Sequence, residues 1–255
     1  MRGFATAVVM LAVSLVCSLA GPVCAASGPF GDWAAIFVAG DWRAHSGKPS
    51  AVFDNGRRDL AEAFEHVGFS PDNVAQFSTH PLNTPKAPVL NADPDAIRSQ
   101  LDRLAAHAQG GCLVYFTSHG SPQAIVLGDG YLTPAGAAAL IDEACGRRPT
   151  VVVVAACFSG VFVPMLAGPN RMVMSAARPD RASFGCGEAD RYTFFDTCML
   201  QSLPHAHDFT ALADAVRACV SQRERALGAE PPSEPQLAIG PLLRPMLPLY
   251  VFASP

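Results

Sequence analysis

Continuous apolar runs divide the chain into regular segments. Four long runs are typical of strands buried on both faces of a sheet. They are WAAIFVAG from Trp33, CLVYFT from Cys112, TVVVVAA from Thr150 and RMVMSAA from Arg171. NVAQFS predicts a shorter strand between the first two, and a sixth strand is expected in either QLAIG or PLYVF near the C-terminus.

Helical periodicity lies between these runs. NGRRDLAEAFEHVGF from Asn55 and DPDAIRSQLDRLAAHAQGG from Asp93 each place apolar residues on one face. Gly68 stands at the expected end of the first helix, and Gly110 and Gly111 at the end of the second. Thr133 and Pro134 are a good N-cap and first-turn pair for a helix through Cys145. QAIVLGDGYLT reads as a surface hairpin. Strands alternating with helices predict an α/β fold, a doubly wound, mostly parallel six-stranded sheet with helices on both faces.

The first residues have the pattern of a secretory signal. MRGFATAVVMLAVSLVCSLAGPVCAASG has one early arginine, a long apolar stretch and small residues before a cleavage site expected after Ala25. We therefore predict a signal peptide over residues 1–25 and a single domain over residues 26–255. The sequence predicts an exported protein, periplasmic or secreted, and no later apolar stretch is long enough to predict an integral membrane segment.

Charge and cysteine content exclude several classes of function. Loss of Arg2 with the signal leaves 17 of the 18 basic residues against 22 acidic ones, which does not favour nucleic acid as a partner. No His/Cys group has the spacing of a zinc site, so no metal or other cofactor is predicted. Cysteines other than Cys157 number five in the mature chain, so at most two disulfides form among them and one thiol is left over.

Two reactive side chains follow neighbouring predicted strands. His119 comes just after CLVYFT and Cys157 just after TVVVVAA. Ligands of open α/β sheets bind beyond the carboxyl ends of the strands. A single histidine in such a place is more often a turn residue, and a single cysteine is more often a small buried apolar residue. As a pair at one rim they predict a nucleophile and its proton-transfer partner, because a thiol is mostly protonated at neutral pH.

The motifs around these residues resemble a known family. VYFTSHG and VVVVAACFSG are similar to the His-Gly and Ala-Cys-x-Ser-Gly motifs of the legumain-like cysteine peptidases, family C13, which have the caspase-like fold. FVAGD and AARPDRASFGCGEADRYTFFD extend the similarity, which covers about Trp33 to Leu203. The resemblance implies that Cys157 attacks the scissile carbonyl, that His119 transfers protons, and that Gly120 belongs to the oxyanion hole.

The same resemblance implies a set of substrate-binding residues. Arg43, Ser183 and Asp196 resemble the positions of the family's polar specificity pocket, and Asp41 resembles the asparagine that steadies the catalytic histidine. Phe158 stands where the family usually has an acidic residue. The resemblance therefore implies cleavage after Asn or another polar residue, with Arg43 and Asp196 facing one pocket near Cys157.

Different classes of function remain at this point. The first is a cysteine endopeptidase acting on protein or peptide substrates, or a transamidase that uses the same acyl-enzyme. The second is a caspase-fold binding module without activity. Retention of both Cys157 and His119 favours the enzyme, whereas Phe158 favours the binding module. The sequence leaves the oligomeric state open.

Overall fold

A seven-stranded sheet forms the centre of the fold. The computed structural model describes residues 28–81 and 88–253. The strands are β1 (Trp33–Ala39), β2 (Val74–Ser78), β3 (Val89–Asn91), β4 (Gly111–Thr117), β7 (Thr150–Ala155), β8 (Arg171–Ser175) and β9 (Gln236–Ile239), in the order β3-β2-β1-β4-β7-β8-β9. Only the β8–β9 pair of this sheet is antiparallel. The predicted α/β class with a mostly parallel sheet is confirmed.

The strand count differs by one from the prediction of six. The additional strand is β3, three residues long and paired with β2 at the edge of the sheet. So short a segment has no periodicity to detect. The last strand is QLAI, as one of the two alternatives had it, and PLYVF forms no strand. The predicted hairpin is present as β5 (Ile125–Leu127) and β6 (Gly130–Leu132).

Helices cover both faces of the sheet. They are α1 (Val52–His66), α2 (Pro94–His107), α3 (Pro134–Cys145), α4 (Val163–Leu166), α5 (Phe194–Ser202) and α6 (Phe209–Leu227). Successive side chains of a strand point to opposite faces. Phe37 and Tyr115 accordingly lie in one core with α1, α5 and α6, while Val38 and Phe116 lie in the other with α2 and α3. Thr133 caps α3 as predicted, accepting the N–H of Gly136.

Two disulfides tie neighbouring elements together. Cys112–Cys145 joins β4 to α3, and Cys198–Cys219 joins α5 to α6. Cys157 and Cys186 are free, which agrees with the expected limit of two bridges and one further unpaired thiol. In the described part of the chain no helix has the length and hydropathy needed to cross a bilayer. The predicted signal peptide lies outside the described residues, and the domain boundary after it stays a prediction.

The strand register sets the positions of the two reactive side chains. Strands β4 and β7 are parallel neighbours, and Thr117 pairs with Ala155. His119 and Cys157 each come two residues after this pair. The chain therefore leaves the sheet at adjacent points and in the same direction at these two residues.

Candidate active site

The loops after β4 and β7 touch through a glycine. A Cβ atom added to Gly120 would lie 2.1 Å from the backbone oxygen of Cys157 and 3.0 Å from the Cβ of Ala156. Real Cβ atoms do not approach a carbonyl oxygen so closely, so only glycine fits without moving one loop. Gly120 thus allows the backbone next to His119 to contact the backbone of Cys157.

A narrow recess opens between these loops. Its walls include Phe53 from α1, His119 and Cys157 from the two strand ends, and Ser183, Phe184 and Cys186 from the segment after β8. His119 and Cys157 therefore share one recess, as their strand-end positions predict. The segment after β8 forms its far wall, so four separate parts of the chain build the site.

The Cys157 thiol is half-buried and hydrogen-bonded to one residue. The N–H of Ser183 donates to Sγ at 3.3 Å, and Sγ lies 3.5 Å from the carbonyl oxygen of Ser183. Burial raises the pKa of the Cys157 thiol, and the Ser183 hydrogen bond offsets this only in part. The free site therefore holds Cys157 mainly as a neutral thiol, which needs a proton acceptor before it can act as a nucleophile.

A backbone carbonyl fixes the His119 ring. Nε2 lies 2.9 Å from the carbonyl oxygen of Arg43. A carbonyl oxygen only accepts hydrogen bonds, so Nε2 carries a proton, and in a neutral ring Nδ1 is the nitrogen able to accept one. Phe53 packs edge-on against the ring with centroids 4.9 Å apart. His119 is therefore oriented by two groups outside its own loop.

Asp41 shapes the loop that supplies this carbonyl. Its Oδ1 accepts the N–H groups of Trp42 at 2.7 Å and Arg43 at 3.1 Å, and the Nε of Arg43 at 3.1 Å. These bonds form a tight turn of the kind aspartate favours. Asp41 thus acts on His119 indirectly, because it holds the turn whose Arg43 carbonyl contacts the ring. No direct contact between the Asp41 side chain and His119 is needed for this role.

Comparison with protein families identifies the family of the chain. Residues 74–230 match the family described as Peptidase C13 family. This chain belongs to it. Among solved structures, the C13 chain is similar to caspase-1 from Spodoptera frugiperda, with a TM-score of 0.60, 15% sequence identity, and coverage of 84% of this chain and 88% of that one. At that identity the likeness shows the caspase-like fold alone. No curated protein sequence matches the chain.

Family and fold together establish a cysteine peptidase of clan CD, whose substrates are proteins or peptides. Within the described residues, no group of three or more potential metal ligands comes together. The assignment of individual catalytic residues in this C13 chain remains a prediction that rests on the geometry above.

Asp196 does not reach the recess. Its side chain is 0% exposed and accepts hydrogen bonds from the hydroxyl groups of Tyr115 at 2.7 Å and Thr117 at 2.6 Å. Burial raises its pKa to about 6, an effect that these hydrogen bonds partly oppose. The expectation that Asp196 and Arg43 face one substrate pocket differs from what the structure shows, because Asp196 lies in the core at the start of α5.

The remaining predicted substrate-binding residues divide into two groups. Ser183 lines the recess, while the Arg43 guanidinium turns away to Asp41 and the Trp42 ring. Phe158 is not among the lining residues, but its backbone is in the left-handed region at φ 57° and its N–H donates to the carbonyl oxygen of Arg181. Such a conformation is strained in a residue other than glycine. Phe158 thereby connects the Cys157 turn to the segment after β8.

Sequence reasoning missed Phe53, Phe184 and Cys186. Phe53 sits in the first turn of α1, where an apolar residue is expected to face the core. Cys186 lies between Gly185 and Gly187, and such a glycine-flanked residue is one available signal of a close approach. Their common location depends on how α1 and the segment after β8 pack against the two strand ends, which periodicity does not report.

Proposed function

We propose that this C13 peptidase is an exported endopeptidase that uses Cys157 as nucleophile and His119 as general acid and base. The observation that carries the proposal is the shared recess of these two side chains, held by the contact of Gly120 with Cys157. Export is proposed from the signal-like N-terminal sequence. Two disulfides agree with an oxidising compartment.

The chemistry follows from the protonation states described above. Sγ of Cys157 bonds to the scissile carbonyl carbon while its proton passes to Nδ1 of His119. The C–N bond then breaks, and the same proton goes to the departing amine. Water adds to the resulting thioester and gives a proton to His119. The C–S bond breaks, and that proton returns to the sulfur.

The backbone N–H of Gly120 is suited to donate a hydrogen bond to the oxyanion of this reaction. The hydrogen bonds around it run from the N–H of Val126 to His119 and from the N–H of Ser121 to Ala124. This antiparallel bridge pairs Gly120 with Ile125 without using the Gly120 N–H. A preorganised backbone donor beside the nucleophile is the usual means of stabilising a tetrahedral intermediate.

A thiol-directed probe tests the nucleophile. Iodoacetamide should label Cys157 in the folded mature protein, and a Cys157→Ala variant should lose both this modification and all peptide hydrolysis. The matched control is Cys186→Ala, which removes the second free thiol of the described residues and should keep iodoacetamide labelling of Cys157. Hydrolysis that persists in Cys157→Ala would overturn the proposal.

A second pair of variants tests the histidine. His119→Ala should lower kcat by about 100-fold or more, the scale expected for a general acid and base, with an unchanged melting curve. His45 offers a control, because its exposed ring lies 6.4 Å from that of His119. His45→Ala should keep most of the activity. Normal turnover in a folded His119→Ala protein would contradict the assigned role.

The same preparation distinguishes the alternatives. A binding module would bind peptides without cleaving any, even with Cys157 intact. A transamidase would join the acyl group to an added amine such as glycinamide in preference to water. Mass spectrometry of the products separates hydrolysis from amine transfer.

A further inference from the structure

The recess beside Cys157 is lined by uncharged side chains. Apart from His119, the described residues along its walls are apolar, hydroxyl-bearing or cysteine. Phe53 and Phe184 contribute aromatic rings, and Cys186 contributes a thiol whose pKa burial raises to about 11. At neutral pH Cys186 is therefore neutral.

Two of the three hydroxyl groups of the lining already have partners. Ser118 Oγ donates to the carbonyl oxygen of Val126 at 2.8 Å. Thr193 Oγ1 accepts the N–H of Asp196 at 3.0 Å. A polar substrate side chain in the recess would find these two hydroxyls engaged in capping and loop contacts. The hydroxyl of Ser183 is the third lining hydroxyl, and it is left to bind such a group.

Two arginines near the recess are paired with carboxylates within the protein. Arg43 pairs with Asp41 at 3.1 Å, and Arg57 pairs with Asp54 at 2.8 Å. Asp196 lies beneath Thr117 and Thr193 with its oxygens hydrogen-bonded. A carboxylate entering the recess would lose hydration and would meet no arginine or lysine among the described lining residues, which is unfavourable.

We infer that this recess is the specificity pocket for the residue whose carbonyl is attacked, and that it selects a small apolar side chain such as that of alanine. The inference rests on the proposed function. In the thioester the acyl carbon is bonded to Sγ, so the Cβ of that residue is only two bonds from the acyl carbon and must lie near Cys157. The rings of Phe53 and Phe184 with Cys186 bound the space in the recess.

Peptidyl acyloxymethyl ketones measure this preference without requiring turnover. Four probes would differ only in the residue next to the ketone: Ala, Leu, Asn or Asp. The second-order rate of Cys157 labelling is measured by mass spectrometry on the mature chain. We expect Ala to react at least about tenfold faster than Asp, from the cost of burying an unpaired charged group, and faster than Asn and Leu.

Variants of the wall test the size limit. Phe53→Ala should raise the Leu-to-Ala rate ratio about fivefold or more by enlarging the recess. Cys186→Leu, which fills space without removing a core ring, should lower the absolute Ala rate and serves if Phe53→Ala fails to fold. Leu227→Ala, at an exposed position in the last turn of α6, should leave every ratio unchanged.

The outcomes distinguish failure of the proposed specificity pocket from failure of the proposed peptidase activity. An Asn or Asp probe that reacts as fast as the Ala probe, or faster, would overturn the pocket alone. Unchanged rates and ratios in the folded wall variants would do the same. Labelling of Cys157 by iodoacetamide but by none of the peptidyl probes would overturn the proposed peptidase, and the pocket with it.

Discussion

Replacing Asp196 with asparagine should make the stability of the protein less dependent on pH. The carboxyl group is fully buried, and burial raises its pKa from 3.8 to about 6. Protonated Asp196 and asparagine have nearly the same shape, and both lack charge. The variant therefore removes the ionisation while changing the packing around Tyr115 and Thr117 very little.

The magnitude follows from the pKa difference. A raised pKa means that the folded protein binds the proton more tightly than the unfolded chain does. The resulting stabilisation is complete below pH 3.8 and is lost as the pH rises through about 6. About two pKa units correspond to about 3 kcal/mol. Relative to the original protein, Asp196→Asn should therefore gain about 3 kcal/mol in unfolding free energy between pH 3 and pH 7.5.

Urea unfolding at several pH values measures this difference. Asp59→Asn is a control of opposite sign, since its hydrogen bonds to Arg58 and Tyr192 keep the pKa of Asp59 low despite partial burial. The stability from Asp59 is present at neutral pH and is lost on acidification, so its variant should lose stability at neutral pH relative to the original. An Asp196→Asn protein whose unfolding free energy follows the original curve at every pH would refute the reasoning.

Three further results are expected. Gly120→Ala should abolish peptide hydrolysis in a folded protein, because its Cβ would meet the Cys157 carbonyl oxygen; an activity assay with a melting curve checks this. Replacing Cys112 and Cys145 together by alanine should cost about 3 to 4 kcal/mol in denaturant unfolding, from a sequence separation of 33 residues. The iodoacetamide rate at Cys157 should keep rising from pH 7 to beyond pH 9, since burial raises the thiol pKa; a plateau below pH 8 would contradict this.

Local patterns were enough to predict most of the sheet and the rim of the site. Long buried strands such as β4 and β7 give unbroken apolar runs, and parallel pairing brings the residues after them together. His119 and Cys157 could therefore be placed on one rim before any coordinates were known. β3 escaped detection because three residues, two of them half-buried and one exposed, carry no periodic signal.

The walls of the site were less predictable. Phe53 and Cys186 come from loops and helix ends whose approach to Cys157 depends on long-range packing. Asp196 was predicted to bind substrate because it resembles an acidic position of the family's polar specificity pocket. Its burial depends on Tyr115 and Thr117, which point from β4 toward α5. Sequence spacing does not report such contacts across elements.

The hydrogen bond from His119 to Arg43 has a consequence for how the site would look in a mutational survey. The acceptor is the main-chain oxygen, which every amino acid supplies. Position 43 should therefore tolerate many side chains and score as dispensable, although its backbone holds the imidazole in place. Replacements at position 41 should instead be harmful, because the aspartate side chain there shapes the turn that holds this carbonyl. A search for functional residues by side-chain replacement alone would therefore identify position 41 and miss position 43, whose carbonyl contacts His119.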